Sequence, residues 1–260
     1  MTLLHVASDS RWFKRFHPAQ GVRARLVCFP HAGGSATSYF ALSRQLARLS
    51  PSLEVLAVQY PGRQDRRNEP LVDDVHALAA QIHRELVSAS DDRPLALFGH
   101  SMGAVVAYEV ARLLEQGPGA PPVALFASGR RAPCRTRVEG THLKDDEGLV
   151  EDLRTLDGTD VEILADKDLM RMVLPIIRSD YRAIETYRHR VGPALGCPIA
   201  VLAGSEDGRT TGDELADWRL HTSGSYSLDV YSGGHFFVND HTEGIANLLV
   251  ERLRPAAQRT

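Results

Sequence analysis

Gly99-His100-Ser101-Met102-Gly103 sets one serine between two small residues in the pattern Gly-x-Ser-x-Gly. A serine hydroxyl is a weak nucleophile until a neutral imidazole takes its proton and a carboxylate orients that imidazole. The chain offers both partners downstream. His235 lies in Ser232-Gly233-Gly234-His235-Phe236-Phe237, directly after the apolar run Ser227–Tyr231. The two glycines permit a tight turn that points a ring back toward a neighbouring strand end. His241, beside Asp240 at a predicted helix start, reads instead as a surface histidine. The acid follows by exclusion. Ser128-Gly129-Arg130-Arg131-Ala132-Pro133 carries no carboxylate, whereas Gly204-Ser205-Glu206-Asp207-Gly208 carries two. Asp207 is the better placed, its shorter side chain preceding a glycine in the turn, and Glu206 reads as a solvated loop charge. Ser101, Asp207 and His235 then form a chain that can transfer an acyl group.

Acyl transfer also needs two N–H donors for the oxyanion of the tetrahedral intermediate. The residue after the nucleophile, Met102, supplies the first. The loop Phe29-Pro30-His31-Ala32-Gly33-Gly34-Ser35 resembles an HGGG-type turn, and Ala32 is the expected second donor. These glycines do not cradle a phosphate, because no Walker lysine follows them and Gly-x-Gly-x-x-Gly is absent. The chemistry requires no metal and no cofactor.

The elements that would position these groups alternate. Strand-like runs occupy Arg25–Phe29, Leu53–Val58, Leu95–Phe98, Val123–Ala127, Ile199–Ala203 and Ser227–Tyr231. Helical spacing occupies Ser38–Leu49, Val72–Val87, Ala104–Leu114 and Ile245–Leu253. Short, nearly continuous apolar strands between helices predict a mostly parallel sheet covered on both faces, and a Gly-x-Ser-x-Gly turn between strand and helix is the nucleophile elbow of the α/β-hydrolase fold. One segment breaks the alternation. Glu147–Leu156, Val161–Leu164 and Lys167–Tyr187 all read as helical, with a turn at Asp157-Gly158 and a kink or interruption at Pro175. This predicts one domain with a helical lid insertion over about residues 132–190, in which Met170, Met172 and Leu174 are candidates to line an acyl channel.

Composition excludes several classes. At 260 residues and 43% hydrophobic the chain suits a single domain with a full core. Its net charge of −3 gives no reason to expect nucleic-acid binding. No apolar run reaches the ~18 residues that a membrane span needs. Arg11, Lys14 and Arg15 interrupt the N-terminal aromatic cluster, so the expected location is the cytoplasm. Cys28, Cys134 and Cys197 are too few and too scattered for a disulfide framework or a zinc site.

Several segments together resemble the type II thioesterases. They are Pro30-His31-Ala32-Gly33-Gly34, Tyr60-Pro61-Gly62-Arg63, the serine turn, Leu174-Pro175, Arg178-Ser179-Asp180-Tyr181, and Gly233-Gly234-His235-Phe236-Phe237. The likeness runs from about Trp12 to the last helix, departing locally at Asp157-Gly158-Thr159. It implies a monomeric editing enzyme that hydrolyses stalled or aberrant acyl groups from the phosphopantetheine arm of acyl or peptidyl carrier proteins in polyketide and nonribosomal peptide synthesis. It implies the same triad. A carboxylesterase or a fatty-acyl thioesterase is the alternative expectation. For an acidic carrier partner, Arg63, Arg130 and Arg131 are the candidate docking cations.

Overall fold

The computed structural model describes residues 11–89, 91–154 and 167–257. Seven strands form one sheet: β1 (Phe13–Lys14), β2 (Ala24–Phe29), β3 (Leu53–Val58), β4 (Leu95–His100), β5 (Ala124–Ser128), β6 (Ile199–Gly204) and β7 (Tyr226–Tyr231). Their spatial order is β1-β3-β2-β4-β5-β6-β7. Every pairing is parallel except that of β1, an antiparallel edge strand too short to show a period in the sequence. The sheet is therefore mostly parallel, as expected, and the central strands β2, β4 and β5 are buried throughout.

Strand pleating separates the core into two layers. On β2, Val27 and Phe29 pack with α2 (Val75–Ser88) and α3 (Met102–Gln116). Leu26 and Cys28 face the other way, toward α1 (Phe40–Leu49) and the long C-terminal helix, Thr242–Ala257. Asp74 caps α2 by accepting the Ala77 amide at 2.7 Å, which shortens the expected Val72–Val87 helix at its start.

Between β5 and β6 the chain leaves the sheet. It forms α4 (Asp146–Arg154) and α5 (Lys167–Thr186), which pack on each other through Leu149, Leu153, Met170, Leu174, Ile177 and Tyr181. This small cluster is separate from both sheet layers. The last turns of α5 rejoin the main core through Ala183, Ile184 and, just beyond the helix, Tyr187. The expected helix at Val161–Leu164 and the turns at Asp157-Gly158-Thr159 lie outside the described residues. Pro175 does not end its helix: α5 is assigned continuously through it. Pro175 and Arg171 are both exposed, so the carbonyl that loses its intrahelical donor can be hydrated. A short helix, α6 (Gly212–Ala216), closes the loop after β6 with a capping box between Thr211 and Glu214. Among the described residues no helix is long and apolar enough to cross a membrane.

The tightest approach in the fold lies under the serine turn. A Cβ on Gly103 would overlap the Phe29 carbonyl at the end of β2, and one on Gly99 would overlap the Gly103 carbonyl. Gly103→Ala is therefore expected to lower Tm by several degrees, overpacking costing about 1–3 kcal/mol at about 2–4 °C per kcal/mol. Gly212→Ala, with no atom within 4 Å, is the control and should leave Tm unchanged. Thermal unfolding of the two variants, followed by circular dichroism, checks this. Equal Tm values would contradict the packing argument.

Candidate active site

Ser101 joins β4 to α3 with φ 55° and ψ −119°. Only one other described non-glycine residue, Gln64, has positive φ. Such a conformation costs on the order of 1–3 kcal/mol and persists only where its surroundings over-determine it. Here they do. The Ser101 amide donates to the Ser128 carbonyl at 2.8 Å, and the Ser101 carbonyl accepts from Ala104 at 3.0 Å. The turn lifts the hydroxyl toward His235, whose Nε2 lies 3.0 Å from Ser101 Oγ. On the other side of the ring, His235 Nδ1 lies 2.9 Å from Asp207 Oδ2. Asp207 is buried, and its Oδ1 accepts the Arg209 amide at 2.9 Å.

The loops that carry acid and base brace each other. Ser205 N donates to the Tyr231 carbonyl at 2.8 Å, and Glu206 N donates to the Gly233 carbonyl at 2.9 Å. Any side chain on Gly204 would overlap the Gly233 and Gly234 carbonyls. Glu206 itself is exposed and His241 bonds Ser232, so neither rival reaches the serine.

The two proposed oxyanion donors flank Ser101. Met102 is the first residue of α3, so its N–H has no intrahelical acceptor. Ala32 lines the cavity beside Ser101, while the next two amides in its loop are used: Gly33 donates to Asp180 at 2.7 Å and Gly34 to the His31 carbonyl at 2.9 Å. The same loop is held by the Tyr60 hydroxyl, which donates to the Pro30 carbonyl at 3.1 Å.

Asp180 is the residue whose role the sequence did not disclose. It lies on α5, is 1% exposed, and accepts both Gly33 N–H and the Arg63 guanidinium. Arg63 also donates to the Pro61 carbonyl at 2.6 Å. Burial pushes the Asp180 carboxyl above its ordinary value, and Arg63 with the Gly33 amide pulls it back. Two segments quoted above for their resemblance, Tyr60–Arg63 and Arg178–Tyr181, thus meet in one buried ion pair behind the oxyanion loop.

Several sequence-based expectations need correction. Arg63 and Arg131 are not surface docking cations: Arg63 is buried against Asp180, and Arg131 is buried against Glu139 in a bidentate pair at 2.9 Å. Their partners, 117 residues and 8 residues away, were not legible as such. Met170 and Leu174 do not line the catalytic cavity; they pack in the α4–α5 cluster and line a separate depression with Val150 and Arg154. Met172 is 66% exposed. At 100° per residue it lies on the opposite side of α5 from Met170 and Leu174. The helix instead presents Val173, Ile177, Tyr181 and Ile184 to a cavity of about 200 Å³ that also contains Ser101 and His235.

Two further histidines crowd His235. The His100 ring lies 5.1 Å from it, centroid to centroid, and 6.1 Å from the His31 ring. Burial pushes His31 down to about 4 and His100 well below its ordinary value, with His235 adding to both shifts. Both are neutral at pH 7. His221, buried in the core against the Tyr108 hydroxyl at 3.0 Å, is also lowered to about 4 by burial.

Two expectations follow. The unfolded chain takes up protons at these histidines near pH 6.5, and the folded protein resists until about pH 4. Stability is therefore fully present above 6.5 and lost as pH falls through that window. Urea midpoints measured from pH 7 to pH 4.5 should fall, and less so in His221→Gln than in wild type; an identical slope would contradict the assignment. For the ion pair, Asp180→Asn leaves a buried guanidinium uncompensated and should cost about 3–5 kcal/mol. It should also lower kcat more than it raises KM, because the oxyanion loop shifts while the cavity wall remains. A folded Asp180→Asn protein with wild-type kcat would remove the residue from this role.

Comparisons with known proteins place the chain in a family. A family model described as a thioesterase domain matches residues 24–253. Thioesterase PikA5 of Streptomyces venezuelae is 48% identical over 252 residues, covering 95% of this chain and 89% of that protein. A probable cadicidin biosynthesis thioesterase of Streptomyces griseus is 48% identical over 246 residues, covering 95% of this chain and 67% of that one. The solved structure of BorB, the type II thioesterase of the borrelidin biosynthetic cluster, superposes with a TM-score of 0.86 at 47% identity, covering 94% of this chain and 98% of the other. The chain belongs to the thioesterase family and, within it, to the type II thioesterases.

Proposed function

We propose that this protein hydrolyses acyl thioesters carried on the phosphopantetheine arm of carrier proteins, clearing stalled or aberrant acyl groups in polyketide or nonribosomal peptide synthesis. The observation that carries the reading is the Ser101–His235–Asp207 relay opening into a mostly apolar cavity, in a chain about half identical to thioesterases of such pathways.

In this reading Ser101 Oγ attacks the thioester carbonyl while His235 Nε2 accepts the hydroxyl proton. Asp207 holds the imidazole in the tautomer with Nδ1–H and stabilises the imidazolium. The amides of Ala32 and Met102 receive the oxyanion, assisted by the N-terminal end of α3. The C–S bond then breaks, and the thiol leaves with the proton from His235. Water next gives its proton to His235 and attacks the acyl-enzyme. The tetrahedral intermediate collapses with return of the proton to Ser101, releasing the carboxylic acid. Neutral His31 and His100 leave the imidazolium formed in each half-reaction free of an adjacent positive charge.

α4 and α5 serve as a lid whose inner face shapes the acyl site. Leu153, Val173, Ile177 and Ile184 give that site an apolar wall that selects weakly among acyl chains, since one methylene is worth only about 1–3 kcal/mol.

The reading predicts that Ser101→Ala lowers the rate on acyl-carrier proteins by about 10³-fold or more with the fold retained. Asp207→Asn should follow it in direction, and Glu206→Gln should stay near wild type. Intact-mass analysis of carrier proteins loaded with acyl groups of graded length checks both. Faster hydrolysis of simple carboxylic esters than of any acyl-carrier protein would replace this function with an esterase.

A further inference from the structure

Three charged side chains, Arg130, Glu139 and Arg209, line the catalytic cavity, a fourth, Arg131, is paired to Glu139, and the four do not cancel. Glu139 is held by Arg131 in a fork of two 2.9 Å bonds. Glu139 also faces Arg130 and Arg209, whose charges, with that of Arg131, hold its carboxyl below the ordinary value against burial. One carboxylate therefore serves three guanidinium groups. The other nearby carboxylate, Asp207, is occupied by His235 and by the backbone amide of Arg209.

Arg130 and Arg209 both line the cavity that contains Ser101. Among the described residues neither guanidinium has a hydrogen-bond or ion-pair partner; each residue is tied down through its backbone instead. The Arg130 carbonyl accepts from Trp218 Nε1 at 2.8 Å, and the Arg209 amide donates to Asp207 at 2.9 Å. The loop carrying Arg130 is further fixed by Gly129, whose φ of +60° brings it against the His100 ring. Burial, with Arg131 and Arg209 nearby, lowers Arg130 to about 10, which leaves it charged at neutral pH. A half-buried cation that only shares a carboxylate already forked by another arginine is costly, and a planar guanidinium matches a carboxylate or phosphate with two parallel bonds. Apart from Glu139, which Arg131 already holds, the lining groups cannot supply the anion. His31 is neutral, burial keeps the Tyr181 hydroxyl protonated, and Leu153, Val173, Ile177, Ile184 and Phe236 are apolar.

We propose that Arg130 and Arg209 form an anion-binding subsite inside the catalytic cavity, filled by a carboxylate or phosphate on the same molecule as the scissile thioester. This rests on the thioesterase reading above and narrows its substrate class. The anion has two possible sources: a distal carboxylate on a dicarboxylic acyl group, or the phosphate of the pantetheine arm.

The test compares kcat/KM within two matched pairs, for wild type, Arg130→Met and Arg209→Met. Succinyl- against valeryl-N-acetylcysteamine isolates an acyl carboxylate. Valeryl-phosphopantetheine against valeryl-pantetheine isolates the phosphate. The subsite predicts that either substitution lowers the anionic-to-neutral ratio by about tenfold or more in one pair, and that pair names the source. Ratios unchanged in both pairs overturn the proposal. A readout independent of turnover is the thermal shift of wild type with glutarate against glutaramide, and with phosphopantetheine against pantetheine. Preference for the anionic member of a pair, lost in Arg130→Met or, should that variant not fold, in Arg130→Lys with Arg209→Met, supports the subsite; no preference in either pair overturns it. If wild type binds these anions yet hydrolyses none of the four thioesters, the thioesterase reading fails and the subsite stands.

Discussion

Everything in this molecule is arranged around a serine held in a backbone conformation that it would not choose. At φ 55° and ψ −119°, Ser101 is stable only because its neighbours leave no alternative. Its amide and carbonyl are both bonded, and α3 begins at the next residue. Gly99 and Gly103 let the turn close on itself and on β2. The same closeness brings the serine hydroxyl within reach of the first glycine loop and of the β7 turn. Parallel strands with their C-terminal ends at one edge are what bring four separated loops to a single point.

The buried Arg63–Asp180 pair extends this arrangement into α5. A single carboxylate on α5 holds the loop after β2 through Gly33 and the loop after β3 through Arg63. The helix that lines the cavity thereby also fixes the loop proposed to receive the oxyanion. Charge is managed differently elsewhere in the cavity. Glu139 faces more cations than it can satisfy, and His31 and His100 are kept neutral by burial. The cavity combines an apolar lining, a neutral imidazole cluster and a positive wall.

How much of this was legible in the sequence depended on the range of the interaction involved. The strands and the helices beside the sheet follow from local periodicity, and their ends fall within four residues of the expected ones. Ser101, Asp207 and His235 could be named because each lies at a strand end, marked by neighbouring glycines and by chain order. The ion pairs could not, because nothing near Arg63 points to a carboxylate on a helix 117 residues later. Met172 was misjudged for a different reason. Counting apolar residues on α5 without fixing the phase of the helix leaves the buried face undetermined, and Met172 lies 200° from Met170. Pro175 does not interrupt α5, since an exposed helix face tolerates the lost bond. The β1 strand was missed because two residues carry no period.

The central claim is that acyl groups pass through a covalent ester on Ser101. Rapid acid quench during turnover of a slowly hydrolysed acyl thioester, followed by peptide mass mapping, measures this directly. The account predicts one acyl adduct, confined to the peptide containing Ser101, formed in a burst and lost at the rate of product release. Steady thioester hydrolysis without any such adduct, or an adduct on another residue, would contradict it.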